Sequence, residues 1–112
     1  MRIDTEQANG VTVLTIDGKI TIGEGSAEVR KTVRELLQAG KKNILLDLGN
    51  VSYVDSSGIG ELVSSFTTVT NQGGQLKLLN LTKKLQELLA ITKLLTVFDC
   101  YEDEKDALAS FS

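Results

Sequence analysis

"NILLDLGNVSYVDSSGIGEL" runs from Asn43 to Leu62. Its first six residues, 43–48, form a near-continuous apolar run bounded by Lys42 and Gly49, with only Asp47 inside "ILLDL". Such a run predicts a strand covered on both faces, as in a parallel sheet. "GNVSYV" leads from it to Val54, and there the period changes. Ile59, Leu62, Val63, Phe66 and Val69 recur at helical spacing, and Gly73-Gly74 ends the pattern. A junction from extended chain to helix therefore falls on Asp55-Ser56-Ser57-Gly58.

The flanking segments fit the same architecture. Asn9-Gly10 separates two extended runs, 2–8 and 11–17, and Asn-Gly suits a two-residue hairpin whose central residues both need positive φ. Gly18 to Gly25 reads as a loop. Val29, Val33, Leu36 and Leu37 make one helical stripe from near Ser26 to a stop at Gly40. "QLKLLN" (75–80) is a further strand. Thr82 or a neighbour caps a helix carrying Leu85, Leu88, Leu89 and Ile91. "TVFDCY" (96–101) reads as the last strand, and "EDEKDALASF" (102–111) as a short closing helix whose acidic start suits the helix dipole. The order β-β-α-β-α-β-α-β-α predicts an α/β fold. The expectation is a single domain over 1–112 with a mixed, mainly parallel five-stranded sheet, an antiparallel edge hairpin and about four helices. Strand 43–48 is expected at its centre.

Composition excludes several classes of function. The chain has 112 residues and a net charge of −3, with no clustered Lys and Arg of the kind nucleic acid or an anionic membrane selects. No apolar run reaches spanning length, and "MRIDTEQANG" has no signal-peptide core. The single cysteine, Cys100, cannot form an internal disulfide; the chain reads as cytoplasmic, with Cys100 a buried small hydrophobe. Histidine is absent, which removes Ser-His-Asp and Cys-His nucleophile systems and His-ligated zinc. No enzyme, metal or cofactor is expected. Lys83, Lys84 and Lys93 read as a solvated face, and Leu94-Leu95 as core or a lead into the last strand.

Asp55-Ser56-Ser57-Gly58 admits several chemistries. Asp and Ser are favoured helix caps, and Gly58 and Gly60 allow close packing. A hydrolase elbow needs Gly-x-Ser-x-Gly and a histidine, but position 54 is Val. Dinucleotide binding needs Gly-x-Gly-x-x-Gly. Gly58-Ile59-Gly60 leads to Val63, and Gly23-Glu24-Gly25 leads to Glu28, so neither completes it. A helix start is nonetheless an anion seat, which leaves a small anionic-ligand or nucleotide module as one reading. A phosphorylation switch needs an exposed hydroxyl, a kinase and room for a dianion.

"DSSGIG" after "ILLDLGNVSYV" resembles the STAS domain of bacterial anti-sigma-factor antagonists. "VTVLTIDGKI", "NQGGQLKLLN" and "LLAITKLLTVFDCYEDEKDAL" extend the resemblance over nearly the whole chain. The resemblance implies partner switching. The unphosphorylated antagonist binds an anti-sigma factor with serine kinase activity, phosphorylation of Ser56 releases it, and a phosphoserine phosphatase restores it. Asp55, Ser56, Ser57 and Gly58 are then the expected partner surface. Many members carry Gly-x-Leu-Asp after the second strand. Here Gly18-Lys19-Ile20-Thr21 puts Thr21 at the acidic place, with Glu24 the next carboxylate, and both join the expected surface. Thr21 and Ser26 also read simply as loop and cap. Within the same family, a subunit of a lipid-transport or stress-signalling assembly is the alternative. If Ser56 is the helix cap, Ser56→Ala removes about 1–2 kcal/mol of stability.

Overall fold

The computed structural model describes residues 1–111; the expected domain boundary at Ser112 lies outside the described residues. β1 (Arg2–Ala8) and β2 (Val11–Ile20) form the antiparallel hairpin, with Ala8 opposite Val11. At its turn Asn9 and Gly10 have φ of 53° and 79°, the positive pair such a loop requires. β3 (Asn43–Val54), β4 (Gln75–Leu79) and β5 (Cys100–Tyr101) add in parallel, and the sheet order is β1-β2-β3-β4-β5. β3 is therefore central, as its apolar run implies. The helices are α1 (Ser26–Gln38), α2 (Ser56–Asn71), α3 (Lys83–Ile91) and α4 (Glu104–Ser110).

Alternation along β3 explains the layers. Ile44, Leu46 and Leu48 join the main core with Val29 and Val33 of α1, Leu62 and Val69 of α2, and Leu85 and Leu89 of α3. Leu45 joins a smaller cluster on the opposite face with Val11, Val13, Leu79 and Ala107 of α4. A strand buried on both faces cannot alternate apolar with polar residues, and "ILLDL" does not.

Three expectations need correction. β2 continues to Ile20, into the segment read as loop, and β3 continues to Val54. They stay paired to the end, Ile20 beside Val54, because irregularities between Thr15 and Asp17 and between Gly18 and Lys19 absorb the difference in length. The last strand is only two residues long. Residues before it turn instead, with the Leu94 N–H bonded to the Leu89 carbonyl and Val97 to Leu94. This turns Phe98 into the core, edge-on to Phe66 at 5.4 Å between ring centres. Leu94 and Leu95 pack against that core. Cys100 is exposed, not buried, because β5 is a short edge strand. Partial burial, and then the neighbouring Asp99 carboxylate, push its thiol pKa above the ordinary value.

Lys77 is the unexpected core residue, 8% exposed within β4. Its Nζ donates to the carbonyl and to Oγ of Ser110, both at 3.0 Å, and stands 5.0 Å from the centre of the Phe111 ring. A cation at the carboxyl end of α4 complements the helix dipole and satisfies an otherwise orphaned carbonyl. It fastens a seven-residue helix that buries only Ala107 fully.

Two outcomes are expected from native-state amide exchange. Amides of 44–48 exchange slowest in the protein, because both faces of that strand are covered. Lys77→Ala speeds exchange in α4 selectively and leaves 44–48 protected; equal acceleration of both segments would refute the fastening role.

Candidate functional site

The site begins where β2 and β3 end side by side. The Asp55 N–H donates to the Ile20 carbonyl at 3.3 Å, so the chain leaves β3 still bonded to β2. Asp55 is the N-cap of α2: its backbone is extended, and its Oδ1 accepts from the Gly58 N–H at 2.8 Å. Its other oxygen, Oδ2, accepts from the Ile22 N–H at 3.2 Å. One carboxylate thus caps the helix and ties down the β2–α1 loop.

Gly58 sits where α2 meets the end of β2. A Cβ there would collide with the Ile20 carbonyl oxygen and crowd the Val54 side chain, so only glycine permits this approach. Gly25, with φ of 94°, likewise leaves no room for a Cβ beside the Lys19 carbonyl. Gly60 is different: it is exposed, and a Cβ there would meet nothing. Of the two motif glycines read as packing residues, only Gly58 is one.

The two serines face opposite ways. Ser57 is half-buried, and its Oγ donates to Oγ of the buried Ser26 on α1 at 3.3 Å. Ser56 is the first residue of α2, exposed, with no side-chain hydrogen bond among the described residues. The cap is Asp55, so Ser56 holds no capping role, and the capping loss expected for Ser56→Ala does not apply. Ser26 is not a cap either; Gly25 holds that position in α1, with no side-chain bond.

Thr21 and Glu24 lie in the loop that Asp55 anchors. The Thr21 hydroxyl donates to the Glu24 carbonyl at 3.0 Å, and their backbones bond to each other, closing a tight turn. The Glu24 carboxylate lies 3.4 Å from the Met1 amino group. Two further features were missed in the sequence. Ile22 is 84% exposed at the tip of this loop, directly above the helix start. Glu61 is buried between α1 and α2; its Oε1 accepts from Arg30 Nε at 2.9 Å and its Oε2 from Ser65 Oγ at 3.0 Å. An apolar residue between Thr21 and Gly23 in a loop was the available signal for the first. For the second, Glu61 interrupts the apolar stripe of α2 between Ile59 and Leu62.

Both Asp55 oxygens already accept backbone N–H groups, and no histidine exists in the chain. Neither oxygen is hydrogen-bonded to the Ser56 hydroxyl, so no general base is paired with it among the described residues. Ser56 presents an exposed hydroxyl at the helix start. No helix among the described residues is long and apolar enough to cross a membrane.

A family model described as the STAS domain matches residues 2–107. The chain is similar to the anti-sigma-B factor antagonist of Bacillus subtilis (strain 168), with 33% identity over 99 residues, 88% of this chain and 89% of that protein. Its fold is similar to the crystal structure of a putative anti-sigma factor antagonist from Thermotoga maritima, with TM-score 0.89 and 21% identity over 97% of this chain and 93% of that one. It is also similar to the Bacillus cell fate determinant SpoIIAA in its phosphorylated form, with TM-score 0.74 and 17% identity over 96% of this chain and 97% of that one.

The two glycines provide a direct check on the site's construction. Gly58→Ala is expected to cost about 3 kcal/mol or prevent folding, because a backbone carbonyl must move. Gly60→Ala is expected to be neutral or to add up to about 1 kcal/mol, because alanine suits a helix and meets open space. Urea unfolding of both variants decides it, and equal stabilities would contradict the geometry.

Proposed function

Because the chain belongs to the STAS-domain family of anti-sigma-factor antagonists, non-enzymatic regulators of transcription, we propose that it works by partner switching controlled at Ser56. The unphosphorylated protein binds an anti-sigma factor that is also a serine kinase. Phosphorylation of Ser56 breaks the complex, and a phosphoserine phosphatase restores binding. The cytoplasm is the compartment this cycle requires.

One observation carries the assignment: of two adjacent serines, Ser56 alone presents an exposed, unbonded hydroxyl, while Ser57 turns toward Ser26. The position also accommodates the product. A phosphate adds roughly −1.5 to −2 charges and three acceptor oxygens. At the positive end of a 16-residue helix, that charge is stabilised rather than opposed. Ser56 makes no side-chain bond that phosphorylation would break, so the fold has no reason to change. The phosphate acts on the partner instead, as a bulky dianion next to Asp55 at the exposed helix start. That a protein of this fold exists in a phosphorylated form supports the same reading.

Of the residues expected at the partner surface, Asp55 and Ser56 with the Thr21–Glu24 turn are accessible, while the buried Gly58 and the half-buried Ser57 position that surface rather than form it. Thr21 and Glu24 have different parts within it. The Thr21 hydroxyl is engaged inside the turn, so Thr21 shapes the loop; the half-exposed Glu24 carboxylate pairs with the Met1 amino group, and Ile22 faces outward.

The test begins with affinity capture of the native protein from its own host. The captured kinase is then incubated with it and ATP, and the modified peptide is fragmented. Phosphate is expected on Ser56 and absent from Ser56→Ala. In titrations against the same partner, Ser56→Asp is expected to bind about 10- to 1,000-fold more weakly, short of the full phosphoserine effect. Ser56→Ala is expected to bind like wild type and to keep its stability within about 0.5 kcal/mol, since Asp55 supplies the cap. Phosphate on Ser57, or undiminished binding by Ser56→Asp, would refute the switch.

A further inference from the structure

An open groove of about 270 Å³ lies between the end of β3 and α3. Val51, Val54, Leu85 and Leu88 form its apolar lining, and Tyr53 stands at its edge, half exposed. Ile91, the last residue of α3, also borders it and is 78% exposed. An apolar side chain that exposed beside an apolar depression is a knob next to a hole.

The same rim carries both signs of charge. Lys84 and Glu87 line the groove from α3, both are exposed, and neither is in an ion pair among the described residues. They lie three positions apart, on one side of the helix. An isologous two-fold interface requires a patch that is complementary to itself. A knob beside a hole and a free cation beside a free anion meet that requirement.

We propose that this groove seats a second copy of the chain. Two α3 helices cross antiparallel about a two-fold axis. Ile91 of each copy enters the groove of the other, and Lys84 of each meets Glu87 of the other. The surface includes Tyr53 and Val54, just before Asp55, so self-association borders the Ser56 site without using it. The patch is one short helix and one strand end, the scale of a weak, reversible contact.

The test is sedimentation velocity of the full chain from about 1 µM to about 1 mM, a range that brackets weak association. Wild type is expected to shift from monomer to dimer. Ile91→Asp is expected to weaken association at least tenfold with an unchanged thermal melt, because the residue is exposed in the monomer. Lys84→Glu and Glu87→Lys are each expected to weaken it, more at low salt than at high, and the Lys84→Glu/Glu87→Lys double variant to recover to within about threefold of wild type. Recovery in the double variant is the signature of a reciprocal contact that a hydrophobic effect alone would not give. Monomer at every concentration overturns the proposal. So does a dimer that Ile91→Asp leaves intact. A monomeric protein in which Ile91→Asp instead weakens capture of the anti-sigma partner also overturns it, and assigns the groove to that partner.

Discussion

The end of β2 and the start of α2 are pressed together, and the rest of the site depends on that contact. β2 and β3 remain paired to Ile20 and Val54, so the chain must turn from β3 into α2 directly against the Ile20 carbonyl. Gly58 makes the approach sterically possible, and Asp55 closes it with one hydrogen bond to the helix and one to the neighbouring loop. These are short-range, directional contacts made to backbone groups. They hold the first turn of α2 in one place without calling on Ser56 at all.

This division of labour has a chemical consequence. A carboxylate beside a serine invites a catalytic reading, but a general base must be free to accept a proton from the hydroxyl. Each oxygen of Asp55 holds a backbone N–H of the fold, and neither is hydrogen-bonded to the Ser56 hydroxyl, so the carboxylate's contacts are structural. The hydroxyl beside it is passive and exposed. On the proposed switch such a hydroxyl is suitable, since a charge added there breaks no side-chain bond of the fold. The bond from the exposed Arg30 to the buried Glu61 and the Ser26–Ser57 contact add to this by fixing α2 against α1 one turn apart along the helices.

The two faces of the sheet are secured in different ways. Three helices cover one face through a continuous apolar core. The other has only α4, which buries little and relies on Lys77 at its carboxyl end. A fully buried lysine without partners would be strongly unfavourable. Here two oxygens of Ser110 and the faces of Phe111 and Tyr101 surround it. The most exposed large apolar side chains sit elsewhere, at Ile22 and Ile91.

The sequence by itself determined the element order, the Asn9-Gly10 hairpin, the central place of 43–48 and the position of the strand-to-helix junction. Each of these is written in residues close together in the chain: a turn pair with positive φ, a period of 3.6, an unbroken apolar run. The hexapeptide and the segments around it also carried the family. Tertiary structure alone decided which motif serine faces water, that Asp55 rather than Ser56 caps the helix, that Lys77 is buried and that Cys100 and Ile91 are not. For Ser57 and Lys77 the deciding partner lies far away in sequence, Ser26 and Ser110, and the Asp55 cap, itself a local bond to Gly58, is also held by the distant Ile22. Local pattern fixes the path of the backbone, but burial and hydrogen bonding are set by whatever the fold brings alongside, and no period in the sequence encodes that.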